Sequence, residues 1–509
     1  MPVPDDPSTA GSPTRTPAIA AVVVLAAGAG TRMRSELPKV LHPIAGRPLL
    51  WHALTAAGAL GPRELVAVVG HGREQVAAYL DAHHPEVRQA VQDRQLGTGH
   101  AVAAALGDTV PDGVVLVTYG DVPLLTPETL RLLVDAHAEQ HNAVTVLTAR
   151  VPDPSGYGRI VRDAGGGVRA IVEHRDADES QRAIDEINSG VYAFDGAVLA
   201  GALPRLTAGN AAGERYLTDV VSVAVDDGRR VGAVIAPDPT ETEGVNDRVQ
   251  LAALARRLND RLVRQAQLAG VTVLDPATTW LHADVRLEPD TTLLPGTSLE
   301  AGTTVATGAT VGPDSTLSAC RVGEGATVTR SHCIEAEIGP GATVGPWTYL
   351  RPGSVLGADS KVGAFVEVKK STVGAGAKVP HLSYVGDAEI GPGSNIGAGV
   401  ITANYDGVAK HRTVVGSEAF VGTDSTLVAP VTIGDGAYVA AGSTVTDDVA
   451  AGDLGIARGR QAGIPGWVLR KRAGTAADRA ARRAGATDDP PGEHRDTADR
   501  PDSAEGACS

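Results

Sequence analysis

The stretch Leu293-Leu-Pro-Gly-Thr-Ser-Leu299-Glu-Ala-Gly-Thr-Thr-Val305-Ala-Thr-Gly-Ala-Thr-Val311-Gly places an aliphatic residue at every sixth position, and Leu317 continues the series. Val415, Val421, Leu427, Ile433, Val439 and Val445 repeat it further on, and Val373, Val379 and Val385 keep the period between the two blocks, with occasional slips. Such spacing matches neither the face of a helix nor the alternation of a half-buried strand. It fits a coil of three short strands per turn, each flat face sending one aliphatic side chain inward, with stacked turns burying one continuous core. A Gly-rich β-sandwich would not hold the spacing over so long a stretch. A core of this kind needs little aromatic volume, and aromatics are only 3% of the 509 residues, whereas Gly and Pro number 61 and 32. The period breaks at residues 401–414, where Thr-Ala-Asn-Tyr-Asp-Gly-Val-Ala-Lys-His-Arg-Thr should project as a loop from a rigid scaffold.

Upstream, Leu251, Leu254, Leu258 and Leu262 recur at helical spacing between charged residues, with Gly270 as a stop, predicting a linker helix over 249–269. Before it, Ala20–Ala27, Val66–Val69 and Val114–Val117 read as buried parallel strands separated by helical stretches, an α/β Rossmann-like domain over 18–248. The coil is expected over 270–470. Residues 1–17, rich in Pro, Ser and Thr, and 471–509, highly charged with few large apolar residues, read as disordered tails. Cys508 falls in the second tail and receives no role.

Several classes fall away on composition. No apolar run approaches the roughly 18 residues of a membrane span, and Met1–Pro17 lacks the basic start and apolar stretch of a signal peptide. Three cysteines (Cys320, Cys333, Cys508) in no metal-ligand spacing suit a reducing cytoplasm. A formal charge of −15 argues against nucleic-acid binding, so any phosphate substrate must meet a few local cations.

The segment Leu25-Ala-Ala-Gly-Ala-Gly-Thr-Arg-Met-Arg-Ser-Glu-Leu-Pro-Lys39 supplies such a place. Glycines after a strand let backbone N–H groups approach a polyphosphate, and Arg32 and Lys39 can stabilise an attacked phosphate and its leaving group. In α/β sheets ligands bind at the carboxyl ends of strands, where this loop and Tyr119–Pro123 both lie. The stretch resembles the signature of sugar-1-phosphate nucleotidyltransferases. Joined to a hexapeptide-repeat domain, it resembles the bifunctional N-acetylglucosamine-1-phosphate uridyltransferases/glucosamine-1-phosphate acetyltransferases over residues 18–470. That resemblance implies a left-handed parallel β-helix for the repeats. It implies that Arg32 and Lys39 serve the uridylyl transfer. Leu25, Ala26, Ala27, Gly28 and Lys39 would contact UTP; Gln92, Gly97 and Thr98 (in Gln-Asp-Arg-Gln-Leu-Gly-Thr-Gly-His) would hold the uracil. Tyr119 and Gly120 would line the site beside Asp121, which would bind Mg²⁺ together with Asn246. Gly158, Glu173 and Asn188 would hold N-acetylglucosamine.

For the repeat domain the resemblance implies His381 as general base, a role that suits an imidazole of near-neutral pKa. Arg351 and Lys369 would bind the sugar phosphate, with Tyr384 and Asn395 on its hydroxyls. Acetyl-CoA would lie along Ala398, Asn404, Tyr405, Thr423, Ala441 and Arg458. Three positions depart from the commonest pattern: Thr423 stands for Ser, Pro380 for Gly and Ala403 for Cys. The first keeps a hydroxyl, the second stiffens the approach to His381 and removes a donor, and the third implies lower sensitivity to thiol reagents. The family further implies a cytoplasmic homotrimer that feeds cell-envelope synthesis. Two other readings remain open at this point: a nucleotidyltransferase whose coil is only a regulatory or oligomerising scaffold, and a non-catalytic sugar-nucleotide-binding platform.

Overall fold

The computed structural model describes residues 18–487. Its first unit is a nine-stranded sheet. Along the main path the strands run Val231–Ile235, Val144–Arg150, Glu186–Asp195, Val114–Tyr119, Ile19–Leu25, Glu64–Val69 and Arg88–Val91. Glu186–Asp195 is antiparallel to both its neighbours, and the other pairs on this path are parallel. Val22, Val23 and Val24 are wholly buried on both faces of the central strand, which is why that segment reads as an unbroken apolar run. The carboxyl ends of Ile19–Leu25 and Val114–Tyr119 lie side by side, with Leu25 in register with Tyr119, and there the sheet opens toward a ligand.

The connecting helix spans Arg248–Leu268, its N-terminus capped by Asp247, which accepts from the amides of Val249 and Gln250. Leu254 and Leu258 are buried against Met33, Ile44, Leu49, Leu124 and Val245, so the helix packs on the loops around the sheet's ligand end. It ends at Gly270, whose φ of +98° suits a residue without Cβ.

Beyond it the chain winds into a three-sided solenoid of parallel sheets with 11, 10 and 9 strands, the left-handed β-helix of hexapeptide repeats. Leu293 pairs in register with Val311, Val311 with Val328, and Val328 with Val344, one aliphatic layer per coil, each fully buried. The skipped period is accounted for between Ile396 and Val421, which remain in register although the projecting loop lies between them. The hexad also buries hydroxyls: Thr303 donates to Glu300 O at 2.6 Å and Ser354 to Arg351 O at 2.6 Å, so these polar groups enter the core satisfied. At one edge Gly357, Gly374 and Gly391 meet backbone atoms of the following coil, where a Cβ would come within 2.3–2.6 Å.

The tail expected to lack structure from Lys471 onward requires a correction. A helix forms within it at Ala476–Arg483, after a shorter one at Trp467–Lys471 that closes the preceding segment. Composition misses them because they rest on local polar bonds: Thr475 caps the second helix, Asp478 accepts from Gly474 N and Arg482 Nε, and Arg472 lies over the Trp467 ring. Residues 1–17 and 488–509, including Cys508, lie outside the described residues.

Candidate active sites

The first site is a cavity of about 350 Å³ at the carboxyl ends of the central strands. Leu25, Ala26, Ala27, Gly28, Lys39, Gln92, Gly97, Thr98, Tyr119, Asp121 and Asn246 all line it. Lys39 is paired with Asp121 through its ammonium. Arg32 Nη2 donates to Asn246 Oδ1 at 2.9 Å, and the amide of Val245 donates to Asp121 O at 2.9 Å, which ties the Asp121 and Asn246 segments together. Gly30 has φ +59°, and a Cβ there would meet Lys39 Cβ at 2.6 Å, so its glycine is what lets the loop fold onto the lysine.

Gln92 donates to Gly97 O at 3.0 Å, while Gly97 itself (φ +106°) has Arg215 O only 2.5 Å from where a Cβ would stand. Arg215 thus closes the back of this turn, accepting from Gly99 N at 2.9 Å and donating to Leu96 O at 2.8 Å. Gln95 and Glu214 line the cavity too and escaped the sequence reading. Gln95 lies inside the quoted Gln-Asp-Arg-Gln motif and donates to Ala27 O at 2.8 Å, so a signal for it existed. Glu214 comes from a loop more than a hundred residues away, with no local pattern.

Gly120, Gly158, Glu173 and Asn188 do not line this cavity. Gly120 donates its amide to Leu25 O at 2.9 Å, a backbone role. The other three form a second cluster, where a Cβ on Gly158 would lie 3.3 Å from Glu173 Oε1 and 3.5 Å from Asn188 Cβ. Tyr119 joins the two groups, since Gly190, beside Asn188, leaves room for its ring. Burial raises the Tyr119 phenol above its usual range, with Glu173 and Asp121 adding to the shift. Burial likewise raises the Glu173 carboxyl, helped by Asp176 and Asp219.

In the solenoid all of the predicted residues but Asn395 fall on two edges. His381 ends the strand Lys378–His381, in register with Ala364. Below it successive coils stack Ala398, Thr423 and Ala441: Gly399 N donates to His381 O, Asp424 N to Ala398 O and Gly442 N to Thr423 O. Arg458 Nη1 then donates to Ala441 O at 2.7 Å. This edge therefore carries His381 and four of the expected acyl-donor residues in one column. Gly363 lies against the Pro380 backbone, where a Cβ would run into the Pro380 carbonyl.

The next edge carries Arg351, Lys369 and Asn404. Arg351 pairs with Glu367 at 2.8 Å, and Asp387 Oδ2 accepts from Lys369 Nζ at 3.4 Å and from Asn404 Nδ2 at 2.5 Å. Tyr384 OH lies 3.5 Å from Asn404 Nδ2, and Tyr405 projects into solvent. Asn395 is elsewhere in the chain, on the sheet that bears Lys378 and Phe420. Asp387 was missed; nothing in its local sequence marks it. Ala403 precedes Asn404, and the two described cysteines, Cys320 and Cys333, are buried with thiols pushed up by desolvation.

No group of three or more His, Cys, Asp or Glu side chains arranged to hold a metal occurs among the described residues. Asp121 and Asn246 both line the first cavity, their oxygens here facing Lys39 and Arg32, and a carboxylate with an amide oxygen is a donor set that suits a hard cation.

Fold and sites together define a class: a nucleotidyltransferase domain fused to a hexapeptide-repeat acyltransferase. A family model described as the MobA-like NTP transferase domain matches residues 22–186, and one described as bacterial transferase hexapeptide (six repeats) matches residues 412–447. Relatives named bifunctional protein GlmU are similar to this chain over most of its length. The protein from Streptomyces coelicolor is 57% identical over 466 residues, covering 91% of this chain and 96% of its own. That from Thermobifida fusca is 57% identical over 470 residues, covering 91% and 97%, and that from Corynebacterium glutamicum is 53% identical over 466 residues, covering 91% and 96%. The chain belongs to the bifunctional GlmU family. Proteins of this family are bifunctional, an uridyltransferase and an acetyltransferase that together make UDP-N-acetylglucosamine, and the two domains of this chain match the two activities.

Proposed function

We propose that His381 takes the proton from the ammonium of glucosamine-1-phosphate while Arg351 and Lys369 bind its phosphate and Tyr384 and Asn395 its hydroxyls. The freed amine attacks the thioester carbonyl of acetyl-CoA, the C–N bond forms, the C–S bond breaks and the thiol leaves. Ala398, Asn404, Tyr405, Thr423, Ala441 and Arg458 hold the donor. The resulting N-acetylglucosamine-1-phosphate moves to the first cavity, with its sugar on Gly158, Glu173 and Asn188. There its phosphate oxygen attacks the α-phosphorus of UTP, and pyrophosphate departs. Lys39 and Arg32 neutralise charge on the reacting phosphates. Gln92, Gly97 and Thr98 orient the uracil. Mg²⁺, held by Asp121 and Asn246, would supply further charge neutralisation on the triphosphate. The observation that carries this reading is the convergence of Gly28, Lys39, Gln92, Asp121 and Asn246, from separate segments, on one cavity.

We further propose a homotrimer. Trp347 and Phe365 stack with centroids 5.3 Å apart, Leu382 follows on the next coil, and all three are more than half exposed, an apolar ladder beside His381 that suits burial against a second copy. The separation of Asn395 from Arg351 and Lys369 within one chain favours sites completed between copies. No helix among the described residues is long and apolar enough to cross a membrane; buried, unpaired thiols and the use of UTP and acetyl-CoA favour the cytoplasm. The product would feed envelope polymers.

Two assays on the purified chain test the scheme: CoA-thiol release with glucosamine-1-phosphate, and pyrophosphate release with N-acetylglucosamine-1-phosphate, UTP and Mg²⁺. His381→Ala should abolish the first and spare the second, and Asp121→Ala the reverse. Joint loss in either folded variant would refute two independent sites.

A further inference from the structure

Arg159 opens the strand Arg159–Arg162 and is almost wholly buried, at 1% exposure. Its partners are all neutral: the guanidinium donates to Tyr157 O, and Nη2 lies 3.4 Å from Arg182 O and 3.5 Å from His174 Nδ1. Its Nε has no partner among the described residues. The acid on the adjoining strand, Glu186, is taken by Arg162 at 2.6 Å and by Thr148 at 2.9 Å. A buried cation without a carboxylate costs the fold stability, so packing alone gives no reason for it. Its place does. Arg159 is in register with Val172 on one side and Ile187 on the other, both antiparallel. Gly158, Glu173 and Asn188 therefore form the next row, where Asn188 N donates to Gly158 O at 2.9 Å. Successive rows face opposite sides of a sheet. The guanidinium thus grips from behind the segments that carry this row: Tyr157 precedes Gly158, His174 follows Glu173, and Arg182 ends the helix Glu179–Arg182 before the chain returns through Asn188.

We propose that Arg159 is a positioning residue for the acetylated sugar, its planar fork spacing Gly158, Glu173 and Asn188 so that they fit N-acetylglucosamine-1-phosphate better than the unacetylated sugar phosphate. This rests on the reading above that places the sugar on those three residues. Arg159 touches no substrate and acts only through the segments it holds. A lysine would offer its charge from a single point, whereas the guanidinium presents donors in a rigid plane that reaches three segments at once. Selectivity follows from the spacing, since a row displaced by about 1 Å loses the hydrogen bonds that tell one sugar from the other.

Steady-state pyrophosphate release by the full chain tests the assignment. Arg159→Met should raise KM for N-acetylglucosamine-1-phosphate about tenfold, while KM for UTP and thiol release by the solenoid stay unchanged. The preference for this acceptor over glucosamine-1-phosphate, read as a ratio of kcat/KM, should fall in parallel. Arg159→Lys keeps the charge without the fork and should show the same losses. Parent values in Arg159→Lys overturn the proposal, because charge alone would then suffice. So does an unchanged acceptor KM, an equal rise in both KM values, or loss of folding in both variants, each of which leaves Arg159 as part of the scaffold only. An unchanged acceptor KM in Asn188→Ala would instead overturn the sugar site itself, and the assignment with it.

Discussion

Glu173, proposed to hold the sugar, sits in the fold at a cost. Its carboxyl is raised by burial, then by Asp176 and Asp219, so the folded state resists its ionisation. A raised acid is stabilising while it stays protonated, below the unfolded carboxylate range, and that contribution is lost as pH rises through the folded value. Glu173→Gln removes the penalty. Its Tm gain over the parent should therefore grow as pH rises above the ordinary carboxylate range, read by calorimetry, while pyrophosphate release falls if the proposed sugar contact is made. Sequence pattern could mark Glu173 through its motif. It could not show the burial, or Asp219, which arrives from another segment to join the nearby Asp176.

The linker helix does more than join two domains. Its cap, Asp247, adjoins Asn246, whose amide donates to Gln250 Oε1 at 2.8 Å, and Arg248 Nε donates to Met33 O at 3.3 Å. The helix N-terminus thus fixes a proposed metal-binding amide next to the loop that bears Arg32. Asp247→Ala should cost about 1 kcal/mol of stability and raise the Mg²⁺ concentration needed for half-maximal pyrophosphate release, with thiol release unchanged. The helix was legible in Leu251, Leu254, Leu258 and Leu262, because an amphipathic period is local. The two C-terminal helices were not, because their caps and ion pairs leave no apolar stripe to read.

At the scale of the whole molecule the two domains are bolted together by polar groups. Asn259, almost wholly buried, donates to Thr279 O at 2.7 Å and accepts from Leu281 N at 2.9 Å. Arg47 pairs with Asp284 at 2.7 Å, Ala283 N donates to Ala45 O at 2.9 Å, and Gly46 leaves the space that His282 fills. The first coil of the solenoid therefore supports the hairpin that follows Lys39. Asn259→Ala strands a buried carbonyl and a buried amide and should lower stability by about 1–3 kcal/mol, measured by denaturant unfolding of the full chain.

The sequence by itself determined the coil, the α/β domain, the linker and most residues of the first cavity, because hexad period, buried strand runs and glycine-rich loops are all written in near neighbours. Only the tertiary structure decided that Asp121 pairs with Lys39 and Asn246 with Arg32, and that Glu214 lines the cavity. It alone split most of the residues proposed for acetyl transfer between two edges and set Asp387 between Lys369 and Asn404. Those facts depend on which distant segments share a strand end or a solenoid corner, and a stacking register carries no mark in any single stretch of chain.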